Sequence, residues 1–136
     1  MSAEINDTHL TLIQGVINRL ASNSFALKGW SVTLVSALLV LAASDTKPLV
    51  VAIALLPTLT FWGLDGYFLA QERLFRGLYE KVIDSQQQVD AFSMRTEPFT
   101  SAVWTEATFS RTLVLFHGIV LVVIVVVLAL LIAVGH

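Results

Sequence analysis

Residues 120–135 read VLVVIVVVLALLIAVG. This stretch is apolar on every helical face. A chain of 136 residues has no core deep enough to surround such a helix with protein. The uncharged run around it extends from Thr112 to Gly135, with His117 taken as neutral. That exceeds the roughly 20 residues a transmembrane helix needs.

Two more uncharged runs lie upstream. Gly29 to Ser44 sits between Lys28 and Asp45, and Pro48 to Leu64 sits between Lys47 and Asp65. Each is slightly short alone and extends at one end, through Phe25, Ala26 and Leu27 or through Gly66 to Ala70. Lys28 can snorkel, its stem apolar and its ammonium wet. Only Asp45-Thr46-Lys47 separate the runs, which forces an antiparallel helical hairpin. Pro48 suits the first turn of the second helix. Pro57 falls mid-span and is expected to kink it.

Composition agrees. Charged residues are 13% and hydrophobic residues 56% of the chain. Soluble domains carry about 25% charge. A net charge of −2 offers nucleic acid no attractive field. Cysteine is absent, which excludes disulfides, thiol catalysis and Cys-based zinc sites. A cleaved signal peptide does not fit, because its charged region would be very long and a second apolar run follows at once. The expected fold is an all-α membrane protein with three transmembrane helices, a tight N-terminal hairpin plus a C-terminal span, and cytoplasmic amphipathic helices.

The distribution of Lys and Arg sets the expected orientation. Arg19, Lys28, Arg73, Arg76, Lys81, Arg95 and Arg111 lie on one side, against Lys47 on the other. The N-terminus and the middle segment are therefore placed in the cytoplasm, and the C-terminus on the periplasmic or extracellular side. Trp30, Trp62 and Tyr67 then fall near the inner interface.

Four segments follow. Residues 1–27 form a cytoplasmic amphipathic helix: Leu10, Ile13, Val16, Ile17 and Leu20 share a face, and Asp7 or Thr8 can cap the start. Residues 28–70 are the transmembrane hairpin. Residues 71–111 are a cytoplasmic helical segment, in which the second helix continues to about Ser93 with Leu74, Phe75, Leu78, Tyr79 and Val82 as an apolar strip. Ser93 to Pro98 reads as a turn, and a helix from Pro98 returns into the third span. Residues 112–136 are the third transmembrane helix.

One ionisable constellation stands out. Asp65 lies within the second apolar helix, and an ionisable group there marks a candidate site. Folding the hairpin about Thr46 brings Lys28 to the same depth. His117, about one and a half turns inside the third span, approaches the same layer. Polar contacts of this kind commonly pin helices together; the alternative is a gate, an ion-pathway lining or a proton-responsive latch. Glu72, Arg73 and Arg76 form a second, cytoplasmic face, a solvated surface or a receiver for an anionic partner. Glu72 and Arg76 have the favourable i,i+4 order for an ion pair. Neither P-loop, dinucleotide fingerprint nor metal-ligand spacing is present, so no cofactor is expected.

The stretches NSFALKGWSVTLVSALLVLAA (23–43) and FWGLDGYFLAQERLFRGLYEKV (61–82) resemble a group of small multi-span bacterial inner-membrane proteins whose shared motifs are tied to no named reaction. Proteins of this general type include membrane effectors beside sensor or nucleotide-signalling proteins in phage-defence loci. The leading expectation is a self-assembling inner-membrane effector: a homo-oligomer in the lipid bilayer forming a channel or membrane-disrupting assembly, because three spans alone enclose no aqueous pore, with a cytoplasmic protein or nucleotide-signalling partner. Ser31, Thr33, Ser36, Thr58, Thr60, Gly63 and Gly66 offer small or polar surfaces for contact or pore lining. The alternatives are a non-conducting structural or anchoring subunit of a larger complex and a holin-like lysis protein. An enzyme fits least, because no nucleophile or metal site accompanies Asp65, Glu72 and His117.

Overall fold

The computed structural model describes residues 2–45, 47–84 and 87–135. Among them are five helices and no strand: α1 (Ser2–Asp45), α2 (Pro48–Ile53), α3 (Leu55–Ile83), α4 (Ser101–Thr108) and α5 (Arg111–Val134). Three helical stretches are long and apolar enough to cross a membrane: Ala3–Ser44, Pro48–Ile83 and Arg111–Val134.

Helix α1 runs 44 residues without interruption, about 66 Å at the usual rise. No proline interrupts it, and Gly15 and Gly29 are tolerated at a modest cost in helix propensity. The separate helix expected within residues 1–27 is therefore the first part of α1. The helix begins at Ser2 rather than at Asp7 or Thr8. His9, Ile13, Ile17, Ser24, Ser31, Val35 and Ala42 are its buried positions, spaced four or seven residues apart on one face.

Thr46, the centre of the expected turn, lies outside the described residues. Beyond it Pro48 opens α2 as the sequence suggests, with Lys47 as N-cap. Pro57 interrupts the second span more sharply than a bend. It has no N–H to offer the carbonyl of Ile53, so the ladder breaks at Ala54 between α2 and α3. Thr58 bridges the defect, donating both its backbone N–H (3.3 Å) and its hydroxyl (2.8 Å) to the Ala54 carbonyl.

Helix α3 ends at Ile83, ten residues before the end expected near Ser93. Asp84 is the C-cap in extended backbone. The polar tract that follows offers no apolar stripe to hold a further helical turn against α1. The connection through residue 100 is instead fastened to the helices. His9 Nε2 donates to the Ser93 carbonyl at 2.7 Å, Lys81 pairs with Glu97, and Val89 packs on Ile13, Ile17 and Leu78. Phe92, with φ 59°, takes the left-handed conformation that side chains rarely adopt, its ring 6.1 Å from that of His9.

The return helix also differs from expectation. It starts at Ser101, capped by the Thr100 hydroxyl, which accepts from Val103 N–H at 3.2 Å. It does not continue into the third span: the chain breaks at Phe109-Ser110, and α5 starts afresh. Ser110 is extended at the break (ψ 154°), and a tertiary donor takes up a freed carbonyl. The Thr108 carbonyl accepts from Trp62 Nε1 at 2.8 Å, where an unbroken helix would use the N–H four residues on.

Two apolar clusters form. One joins Val35, Ala42, Val51, Ala54 and Ile124 across all three apolar stretches. The other joins Ile13, Ile17 and Leu78 in the α1–α3 stem, with Phe75, Tyr79 and Val82 against it. Between them lies a polar layer. Large apolar side chains such as Trp30, Leu56, Leu115 and Leu130 point outward from the long helices. That arrangement suits lipid as surroundings rather than water.

Candidate functional site

The polar layer is built by equal spacing along three helices. Lys28 lies seventeen residues before Asp45, Asp65 seventeen after Pro48, and His117 seventeen before Val134. At about 1.5 Å per residue, all three sit about 25 Å from the far end of the bundle. The structure brings these three sequence-derived candidates into contact.

Asp65 is the hub and is fully buried. Its Oδ2 lies 2.6 Å from Lys28 Nζ and 2.8 Å from His117 Nε2. The carboxylate accepts, so His117 carries a hydrogen on Nε2. Its Oδ1 accepts from the Ser24 hydroxyl. Ser24 in turn accepts from Lys28 Nζ at 2.9 Å. Three donors thus meet one carboxylate, and with neutral imidazole the aspartate and lysine charges cancel. Burial in apolar surroundings demands both features, full hydrogen bonding and charge pairing.

Aromatic rings enclose the layer. Trp62 stacks on His117 with centroids 5.8 Å apart and an 11° interplanar angle. Phe116 meets His117 edge-on at 5.0 Å, and Lys28 Nζ lies 5.9 Å from the Phe116 centroid, within cation–π range.

Two tryptophans clamp α4 onto α3 beside this layer. Trp62 donates to the Thr108 carbonyl, and Trp104 donates to the Gly63 carbonyl at 3.0 Å. Gly66 makes the approach possible. A Cβ there would lie 2.9 Å from Thr108 Cβ and 3.0 Å from its Cα, closer than side-chain carbons come in practice.

Ser24 and Trp62 belong to the site although sequence reasoning did not include them. Ser24 precedes Lys28 by one helical turn, which was the available signal. In the sequence Trp62 signals only an interfacial ring.

The second candidate group is simpler. Arg76 donates to Glu72 Oε1 through Nε (3.0 Å) and Nη2 (2.7 Å). The Arg76 and Arg73 side chains are exposed on the stem. They lie about two and three turns beyond Asp65 in the α1–α3 stem, apart from the buried layer. Among the described residues, no group of three His, Asp or Glu side chains converges as metal ligands would.

The small polar residues of the spans are mostly turned inward or satisfied locally. Thr33 and Thr60 bond the carbonyls of Gly29 and Leu56 in their own helices. Ser31, Thr58 and Gly66 are buried within the chain. Ser36 alone of the hydroxyl group is exposed without such a bond shown.

Compared with protein-family models, curated proteins and solved structures, the chain has no match.

Proposed function

We propose that this chain is a non-enzymatic, multi-pass protein of a bacterial inner membrane that acts as a self-assembling effector. The N-terminus and the stem lie in the cytoplasm and the C-terminus outside, as seven basic residues against one favour. Copies associate into an oligomeric channel or membrane-disrupting assembly. The Lys28–Asp65–His117 layer is the latch that holds each subunit closed. The stem, with Glu72, Arg73 and Arg76, receives a cytoplasmic protein or a nucleotide-signalling partner. An antiviral setting follows from the resemblance alone.

The observation that supports this reading is the complete burial of Asp65 with a lysine and a histidine inside three apolar helices. Ionisable groups at such positions cost roughly 2.5–3.5 kcal/mol on insertion scales and commonly serve a function. Apolar replacement of a buried ion pair is often neutral or stabilising, so adhesion alone does not require charge. A single subunit exposes almost no free polar groups along its spans, so conduction requires assembly and rearrangement.

Flux from dye-loaded liposomes carrying the purified protein tests the proposal. Assembly into a leaky state, increased by Asp65→Asn, is the expected result. Liposomes that stay sealed for both proteins under every activating condition would overturn it.

One observation favours a second reading, a non-conducting anchoring subunit. The donors that meet Asp65 all come from its own chain, so no second copy is needed to complete the layer. A stoichiometric partner on purification, together with an unaffected Asp65→Asn variant, would select it.

A further inference from the structure

Two side-chain atoms beside the charged layer are buried and lack hydrogen-bond partners: Ser31 Oγ and His117 Nδ1. Both residues are 0% exposed. An unsatisfied buried polar atom is rare enough in a folded protein to call for an explanation.

Their chemistry is complementary. With His117 Nε2 donating to Asp65, a ring with a single hydrogen has Nδ1 as a bare acceptor. Ser31 brings a hydroxyl, which can both donate and accept. Helical serines and threonines commonly give that hydrogen to the carbonyl four residues back. Thr33, Ser44, Thr58 and Thr60 all do so here, to Gly29, Val40, Ala54 and Leu56. Ser31 does not, although it lies on the same helix as Thr33 and Ser44.

Their placement is also matched. Ser31 follows Lys28 by about one turn on the buried face of α1, and His117 reaches the Lys28 layer from α5. One turn further, Val35 and Ile124 of the same two helices share an apolar cluster. The orphaned atoms are therefore about one helical turn apart in depth, on facing helices.

We propose that Ser31 and His117 hold an internal water between α1 and α5. The water accepts from the Ser31 hydroxyl and donates to His117 Nδ1. Buried waters typically bridge two to four such groups. It extends the polar layer one turn toward the far side of the membrane. The site does not depend on whether the assembly conducts.

Water-edited nuclear magnetic resonance on full-length protein in lipid nanodiscs, with ¹⁵N-labelled histidine, tests this directly. The expected wild-type result is a hydrogen on Nε2, a bare Nδ1, and magnetisation transfer from a long-lived water to the His117 ring. Ser31→Ala should reduce that transfer at least five-fold, while Ser36→Ala, at an exposed serine of the same helix, leaves it unchanged. Unchanged transfer in Ser31→Ala would overturn the proposal. So would a hydrogen on Nδ1, or a direct Ser31–His117 hydrogen bond with no water transfer.

Discussion

Lys28 Nζ and Asp65 Oδ2 meet at 2.6 Å across the α1–α3 interface, inside helices otherwise apolar enough to cross a membrane. The pair ties the two arms of the hairpin at one depth. His117 then ties α5 to the same carboxylate. One side chain thus sets the relative position of all three long helices.

Asp65→Asn keeps the shape of the hub and removes its charge. Lys28 is left as a partly buried cation, its side chain 19% exposed. Breaking a buried pair from one side costs roughly 3–5 kcal/mol, and snorkelling of the lysine holds this case to the lower end. The double variant Lys28→Met/Asp65→Asn leaves no orphaned charge and should recover most of the loss. Unfolding by denaturing detergent, with Trp62 fluorescence as probe, measures both.

Gly66→Ala should weaken the seating of α4 on α3. The new methyl meets both Thr108 Cβ and the Thr108 backbone, so side-chain movement alone cannot relieve it. Overpacking of this kind costs about 1–3 kcal/mol. Gly77→Ala is the control: its Cβ meets nothing within 4 Å, and better helix propensity should leave stability equal or slightly raised. Thermal unfolding of the two variants in the same detergent makes the comparison.

Trp62→Phe should separate the two roles of that side chain. The ring still stacks on His117, but the Thr108 carbonyl loses its indole donor. Loss of that one tertiary hydrogen bond should cost about 1 kcal/mol. With the competing donor gone, the α4–α5 break should become more protected, because the Thr108 carbonyl is free to join the helical ladder. Hydrogen exchange at residues 109–112 reports that change.

The Lys81 ammonium, by hydrogen bond and charge, holds the Glu97 carboxyl below its ordinary value of 4.5. A depressed folded-state value means that the contact stabilises above the ordinary carboxylate range and is lost as pH falls through the lowered value. Fastening of the 84–100 connection should therefore persist at neutral pH and loosen only under acid. In Lys81→Ala, the Glu97 carboxyl should titrate nearer 4.5, as read from its carbonyl carbon shift.

The hairpin and its polar hub were legible because both rest on counting. Equal run lengths about a short turn put Lys28 and Asp65 at one depth, and the start of the third run put His117 beside them. Ser24 was harder to foresee, since a serine near a span end carries no distinct pattern. The rotation that stacks Trp62 on His117 was hidden because the third run is apolar all round and shows no preferred face. The break at Phe109-Ser110 has no glycine or proline to announce it, and the donor that meets its Thr108 carbonyl is a tryptophan 46 positions away in sequence. The early end of α3 carries no sequence signal, because Ser-Gln-Gln-Gln contains no breaker. Such residues sustain a helix only when tertiary packing rewards it.

The central claim is that subunits complete in themselves assemble in the membrane. Native mass measurement of the full-length protein released from lipid nanodiscs tests it most directly. A discrete homo-oligomer, retained in lipid and at least as abundant in Asp65→Asn, is the predicted result. A monomer across all protein-to-lipid ratios, with wild-type and variant alike, would contradict the account.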